Sequence, residues 1–348
     1  MVIGILKDHH SDSVERWEKA CQKEGLDYKT VDLTSNSWLD SVLQYEFDFL
    51  LHKPPGDIQR FKNLFDERLY IISKIIGKPI FPTYWETVLY ENKKFLSYFL
   101  EAANIPHPKT NVFYNYEESL QFLRNTSYPF VAKSNIGAGG AGVAIIKTKN
   151  EARKYIKQAF KGKGIRRRYG PNPAVGSPGK WFKKAMRSPQ YFLKKLKTYR
   201  DLYQDSQFGY VVFQEYIPHN YEWRVAKIGA SYFAYKKFKE GEKASGAKSL
   251  GYENPPLELL DFVKTTAEKS KIYSAAFDIF PFNNQYLVNE IQTIFGHVRD
   301  HILEVNGHPG RYFNKNGKWI FEEGNFNTNE SYDLRLKTAL ELYKKQQL

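Results

Sequence analysis

The sequence predicts an α/β protein whose C-terminal part has α+β character. Apolar runs and amphipathic segments alternate as strand, helix and strand through residues 2–53, which is typical of a parallel sheet covered by helices. Between residues 208 and 295, short runs alternate apolar and polar positions, which favours an antiparallel sheet. A length of 348 residues exceeds one ordinary core, so we expect two or three subdomains.

The first predicted domain spans residues 1–88. Its strands are VIGIL, YKTVDL, FDFLLHKP and KPIFPT, and its helices are SVERWEKACQKEGL, SWLDSVLQ and FKNLFDERLYIISKIIG, the last ended by Gly77. His9, His10 and His52 follow strand ends, where open α/β sheets bind ligands. We nevertheless interpret these three side chains as solvated loop histidines.

Composition indicates a folded protein of a reducing compartment. The chain is 42% hydrophobic and 16% aromatic, which excludes a disordered chain. Its one cysteine, Cys21, excludes an intramolecular disulfide. The N-terminal apolar run is too short for a signal peptide, and no run is long enough to span a membrane. We therefore expect a soluble cytoplasmic protein.

Positive charge is concentrated in residues 161–200. This segment holds 13 Lys and Arg and no acidic residue, which leaves only +1 of the net charge of +14, or 14 less 13, for the rest of the chain. Aromatic residues are interleaved with the basic ones, and WFKKAMRSPQYFLKKLKTY is compatible with a basic amphipathic helix pair. A solvated face is the alternative to a binding role. An acidic acceptor, an anionic membrane surface and nucleic acid are the candidate partners.

The stretch SNIGAGGAGV, residues 134–143, predicts a phosphate-binding flap. Its glycines lead into the strand VAIIKT instead of a helix, and no acidic residue lies twenty positions on, so the dinucleotide fingerprint does not apply. Lys133 ends the preceding strand YPFVAK and is expected to point beneath the loop. A plain hairpin and an ordinary strand lysine are the alternatives. The glycines are Gly137, Gly139, Gly140 and Gly142.

Two motifs after the basic segment fit a nucleotide. The end of the apolar strand VVFQEYI can offer backbone groups to adenine, as a hinge between two domains. Glu222, in YEWRV, is placed to accept hydrogen bonds from ribose hydroxyls. The hinge residues are Gln214, Glu215, Tyr216 and Ile217.

Two acidic residues inside apolar strands predict a metal site. Asp278 lies in SAAFDIFPF and Glu290 in QYLVNEIQTIF, twelve residues apart across an FNNQ turn. With an odd-length hairpin loop, Asp278 falls opposite Glu290, and Gln292 shares the face of Glu290. Three oxygen ligands then suit Mg²⁺ bridging ATP phosphates. Buried salt bridges with arginines such as Arg224 or Arg299 are the alternative.

In this order the motifs resemble the ATP-grasp superfamily and, within it, the glutathione-synthetase-like ligases that add amino acids to carboxylates. The resemblance covers roughly residues 88–297. Asn92-Lys93 followed by NIPHP is similar to the family's Asp-Lys helix opening, and Glu222-x-Arg224 stands where the family often has Asp-x-Arg. Gln292 replaces the usual Asn of the metal site.

The resemblance implies an ATP-grasp fold with an N-terminal pre-ATP-grasp domain, a central flap subdomain over residues 89–200 and a C-terminal antiparallel subdomain over 201–348. It implies ATP and two Mg²⁺ ions, which Mn²⁺ can replace. Lys93 and Lys133 would contact the α- and β-phosphates, and Arg224 the acceptor or γ-phosphate. The basic residue of the strand-connecting loop would be Lys236, Lys243 or Lys248.

The implied reaction is an ADP-forming ligation that joins a carboxylate to an amine, such as an amino acid, through an acyl phosphate. The basic segment favours an acidic acceptor, for instance a uronate-bearing polysaccharide precursor or an acidic peptide. A kinase of the same fold and a polyanion-binding protein with a degenerate nucleotide site are the rival hypotheses. The sequence leaves the oligomeric state open and is compatible with a dimer.

Overall fold

The computed structural model of the chain describes residues 1–10, 14–137, 142–166, 193, 200–201, 204–240, 243–244, 249–296 and 302–348. These residues form two compact units. The first consists of Met1–Pro55, Phe61–Pro108 and Ile217–Leu348, and the second of Gly56–Arg60 and Lys109–Tyr216. The predicted division into three domains at residues 88 and 200 stays a prediction. Within the described residues, no helix is both long and apolar enough to cross a membrane.

The first unit contains a parallel sheet in the order β2-β1-β3-β4, as the strand–helix alternation predicts. Helices pack on both faces of the sheet, because its central strands contribute apolar side chains to two separate buried clusters. The strands are β1 (Val2–Lys7), β2 (Asp27–Asp32), β3 (Phe49–His52) and β4 (Ile80–Phe81). The helices that follow in this part of the chain are α1 (Glu15–Lys23), α2 (Trp38–Leu43), α3 (Gln59–Tyr70, continued by a π-helical turn, Ile71–Ile75), α4 (Tyr84–Leu89) and α5 (Lys93–Ala102).

The second unit is built on an antiparallel sheet in the order β5-β10-β6-β7. Its core is rich in aromatic side chains, with Phe130 and Phe213 at its centre, their ring centroids 4.8 Å apart. Its elements are β5 (Thr110–Phe113), α6 (Tyr116–Phe122), β6 (Phe130–Lys133), β7 (Val143–Ile146), α7 (Lys149–Lys161), β8 (Ile165–Arg166), β9 (Ser206–Gln207) and β10 (Val211–Glu215).

A nine-stranded sheet completes the first unit, and its central ladder runs β16-β15-β11-β12-β18-β17. β13 and β14 pair with β12, and β19 pairs with β18. The strands are β11 (Tyr221–Ile228), β12 (Ser231–Glu240), β13 (Lys243–Ala244), β14 (Leu250–Gly251), β15 (Ser274–Phe282), β16 (Gln285–Gln292), β17 (Glu304–Val305), β18 (His308–Lys315) and β19 (Lys318–Glu323). Helices α8 (Leu257–Lys269) and α9 (Tyr332–Lys344) accompany them.

Glu86 joins the start of α4 to the start of β15. Thr83 caps the helix, and the Glu86 carboxylate accepts from the Thr83 backbone N–H at 2.9 Å, which completes a capping box. Its other oxygen accepts from the backbone N–H groups of Tyr273 and Ser274, both at 2.7 Å. Burial raises the pKa of Glu86, although these hydrogen bonds oppose the shift. A carboxylate therefore fixes two segments distant in sequence.

The prediction that His52 is a solvated loop residue is wrong. His52 is the last residue of β3 and is fully buried, with its Nε2 donating to the Pro82 carbonyl at 2.8 Å. The Trp17 indole N–H donates to the His52 carbonyl at 3.2 Å and covers this end of the strand. Burial lowers the pKa of His52 to about 4, so the ring is neutral at pH 7.

Candidate functional site

The β15–β16 hairpin places Asp278 directly opposite Glu290, as predicted. The predicted odd-length loop is wrong, however, because Asn283 and Asn284 form a two-residue turn in which both have positive φ, 47° and 58°. The register then shifts by one residue at Asn289, which forms a β-bulge. The bulge therefore produces the pairing that the loop length was expected to produce.

Two cations hold Asp278 inside the sheet. Arg224, opposite it on β11, forms a bidentate pair through Nε and Nη2, both at 2.7 Å, and Lys237 Nζ lies 2.8 Å from Oδ2. Burial alone would raise the pKa of Asp278, but Arg224 and Lys237 outweigh it and hold the pKa well below its ordinary value. The salt-bridge alternative is thus realised with Arg224, whereas Arg299 lies outside the described residues.

Glu222 extends this ion-pair cluster. Lys237 faces it across the β11–β12 ladder and contacts its Oε1, and Asn289 Nδ2 donates to Oε2 at 3.3 Å. Burial and Arg224 would lower the pKa of Lys237, but Asp278 and Glu222 outweigh them. The pKa therefore lies above its ordinary value, and the ammonium stays charged. Both oxygens of the Glu222 carboxylate thus have protein partners. The contact between Glu222 and the ribose stays a prediction.

Lys237 is the residue that sequence reasoning missed. Lys236 was a candidate, but its Nζ pairs with Glu253 at 2.7 Å, and the register gives Lys237 and not Lys236 the face of Glu222. A signal was available, since the tight turn after Ile228 pairs it with Ser231, and counting back along both strands pairs Glu222 with Lys237. Of the other two candidates, Lys243 is described only by its place in β13, and Lys248 lies outside the described residues.

Lys93 lies at the start of α5, where the Asn92 side chain caps the helix by accepting from the Phe95 N–H at 3.3 Å. Its Nζ is 3.0 Å from Glu91 and 3.2 Å from Glu290, so both acidic residues of the predicted metal hairpin have cationic partners. Burial alone would lower the pKa of Lys93, but the two carboxylates raise it above its ordinary value. Both predicted metal ligands are therefore already in ion pairs, Asp278 with Arg224 and Glu290 with Lys93.

The donor set still fits one magnesium ion. Among the described residues, Asp278 Oδ1 accepts from Arg224 Nε alone, which leaves a lone pair, and Glu290 and Gln292 add oxygen donors of the type that Mg²⁺ prefers. The ion pairs that the described residues form here link four carboxylates to three cations, an excess of one negative charge among these groups. A divalent cation would complement that charge.

In the second unit, β6 and β7 pair antiparallel with Lys133 opposite Val143, so the glycine stretch joins two strands, as predicted. Gln207 anchors the start of that stretch, because its Oε1 accepts from the Asn135 backbone N–H at 2.6 Å and from that of Ile136 at 3.3 Å. Gly137 has a φ of 151°, which favours glycine. The Ser134 N–H donates to the Gly142 carbonyl at 2.8 Å, and Gly139 and Gly140 lie outside the described residues.

The hinge residues follow β10. The Gln214 amide donates to Thr110 Oγ1 at 3.1 Å, and the Glu215 backbone N–H donates to the Lys109 carbonyl at 2.8 Å. The second unit ends at Tyr216 and the first resumes at Ile217. The adenine contact stays a prediction.

Fold and sequence comparisons agree on the class. Residues 91–168 match the family described as "Phosphoribosylglycinamide synthetase, ATP-grasp (A) domain". The structure is similar to D-cycloserine synthetase DcsG, with a TM-score of 0.58, 12% identity and 99% of each chain covered. It is also similar to D-alanine–D-alanine ligase from Bacillus anthracis complexed with ATP, with a TM-score of 0.55, 14% identity and 99% of each chain covered. The chain therefore has an ATP-grasp fold.

A curated relative gives a more particular likeness. The chain is 30% identical over 135 residues to the alpha-aminoadipate–LysW ligase LysX of Saccharolobus solfataricus. The match covers 37% of this chain and 47% of that ligase, so it spans about half the length of the curated relative. The RimK domain ATP-grasp protein of Sphaerobacter thermophilus is a further structural neighbour, at a TM-score of 0.52 and 14% identity over 84% of this chain and 90% of that one.

Proposed function

We propose that this protein is an ATP-dependent ligase that joins a carboxylate to an amine. A carboxylate oxygen of the acceptor attacks the γ-phosphorus of ATP, and ADP leaves. The amine nitrogen then attacks the carbonyl carbon of the acyl phosphate, inorganic phosphate leaves, and the nitrogen loses a proton. The observation that carries the proposal is the buried cluster of Asp278, Arg224, Lys237 and Glu222 beside Glu290, on the sheet of an ATP-grasp fold.

The side chains of the cluster divide into ligands and supports. Arg224 and Lys237 keep Asp278 ionised and oriented, and Asn289 fixes the outer oxygen of Glu222. Asp278, Glu290 and Gln292 would hold a magnesium ion, which would supply positive charge to neutralise the phosphates of ATP. Lys93 and, in the second unit, Lys133 are proposed to contact phosphate oxygens. The number of metal ions and the use of Mn²⁺ belong to this proposal.

The test is product analysis. The protein is incubated with ATP, Mg²⁺, a pool of acidic metabolites and a pool of amino acids, and masses are compared with those of a reaction containing Asp278→Asn. A ligase gives ADP, free phosphate and a new mass equal to acceptor plus amine less water. A product that keeps the phosphate on a hydroxyl identifies a kinase, and unchanged ATP contradicts both enzymatic readings.

We propose that residues 161–200 capture an acidic acceptor, such as a uronate-bearing precursor or an acidic peptide. Thirteen like charges repel one another unless an anion neutralises them, and they would attract a carboxylate substrate. Reversing five of them should raise the KM for the acceptor and reduce its salt dependence, while the KM for ATP stays unchanged. If the KM for the acceptor and its salt dependence both stay unchanged, a membrane surface or nucleic acid is the better partner. The five residues are Arg166, Arg167, Arg168, Lys183 and Lys184.

Two further assignments belong to the proposal. A cytoplasmic location is supported by the single cysteine, Cys21, which is buried and reduced. A dimer is compatible with the chain, and sedimentation would decide the oligomeric state.

A further inference from the structure

A cavity outside the ion-pair cluster lies at the amino end of β4, between the start of that strand, α4, α5 and the end of α8. Its volume is about 520 Å³, which falls in the usual range of small-molecule sites and exceeds what an inorganic ion needs. Ligands of open α/β sheets usually bind at the carboxyl ends of the strands. This cavity is at the other edge of the parallel sheet, so the reaction proposed above does not use it.

The side-chain charges around the cavity are all positive, and the carboxylate of Leu348, which also lines it, opposes them. Four lysines and no acidic side chain line it, namely Lys74, Lys78, Lys269 and Lys271. Lys78 Nζ lies 3.5 Å from the carboxylate of Glu46, which is fully exposed. Lys269 Nζ donates to the Ala103 carbonyl. Within the described part of the chain, no acceptor contacts Nζ of Lys74 or Lys271. The rim therefore favours an anion.

The wall of the cavity is aromatic and apolar. Trp85 and Phe99 meet edge to face with ring centroids 5.2 Å apart, and Trp85 is held in place because its indole N–H donates to the Ser270 carbonyl at 2.8 Å. Tyr84 and Ile80 continue this surface. Such a wall suits a planar ring, since stacking and edge-on contacts add to simple burial.

We propose that this cavity binds a small organic anion with an aromatic or heterocyclic body and a phosphate or carboxylate group. The ring packs against Trp85 and Phe99, and the anionic group meets Lys74 and Lys271. The site is separate from the ion-pair cluster and does not depend on the ligase proposal.

Calorimetry with phenyl phosphate and benzoate tests the assignment, with phenol and inorganic phosphate as partial ligands. Each lacks one half of the recognised chemistry, so both should bind at least about tenfold more weakly than the complete probes. Lys74→Glu combined with Lys271→Glu should weaken phenyl phosphate binding about tenfold or more. The matched control, Lys19→Glu combined with Lys154→Glu, changes net charge equally at exposed sites elsewhere and should leave affinity unchanged.

Three results would overturn the proposal. These are no saturable binding of either complete probe, equal losses in the cavity and control variants, and binding of inorganic phosphate as tight as that of phenyl phosphate. Circular dichroism of each variant confirms folding, so a loss of affinity cannot be mistaken for unfolding.

Discussion

Lys237 and Lys236 are adjacent lysines in one strand, and their environments predict very different losses. The Lys237 side chain is 5% exposed between Glu222 and Asp278, whose side chains are 6% and 4% exposed. Lys237→Met leaves these buried carboxylates with an uncompensated charge, and breaking a buried pair in this way costs about 3–5 kcal/mol. Lys236 pairs with Glu253, which is 50% exposed, so Lys236→Met should cost only about 1 kcal/mol or less.

Urea denaturation of both variants measures the difference in the free energy of unfolding. Both lysines lie in the first unit, so the unfolding transition of that unit is the one to be followed. ATP turnover is measured in parallel. Lys237→Arg keeps a cation and should recover part of the loss, and adding Glu222→Gln to Lys237→Met should cost less than the sum of the two single changes. Equal destabilisation by Lys236→Met and Lys237→Met would show that the buried cluster does not set the stability of the sheet.

Three other predictions concern the two units. Asp278→Asn or Glu290→Gln should abolish ATP turnover in a coupled ADP assay, with Gln292→Asn tolerated better than Gln292→Ala; turnover at the wild-type rate would make the hairpin purely structural. Lys133→Ala should weaken ATP binding by about tenfold or more, as a lost charged hydrogen bond would, and unchanged calorimetric affinity would remove Lys133 from the site. Folding lowers the pKa of His52 from 6.5 to about 4. The neutral ring therefore contributes fully to the free energy of unfolding above pH 6.5, and this contribution is lost as the pH falls towards 4. That loss amounts to about 3 kcal/mol, which should be absent in His52→Gln.

Periodicity and turn residues predicted most of the architecture. The alternation of strands and helices gave the parallel sheet of the first unit, and the polar–apolar alternation gave β11, β12, β15 and β16. The pairing of Asp278 with Glu290 was also predicted, although for the wrong reason, because the bulge at Asn289 has no sequence signature of its own.

The partners of the charged groups were harder to predict. Arg224 was considered as a partner of Asp278, but Lys237 was not, because choosing between two adjacent lysines requires the register of the β11–β12 ladder. The burial of His52 depends on Trp17 and Pro82, which lie far from it in sequence. Local patterns specify elements, whereas these contacts arise only when distant segments pack.

The bulge at Asn289 affects how the spacing between the two acidic residues can be used to recognise such sites. Because the turn has two residues, a regular ladder would place position 289 opposite Asp278. A related chain with a spacing one residue shorter could therefore pair the same two carboxylates without a bulge. That chain would lack the amide that Asn289 offers to Glu222. Searches restricted to a single spacing would divide one kind of site into two groups.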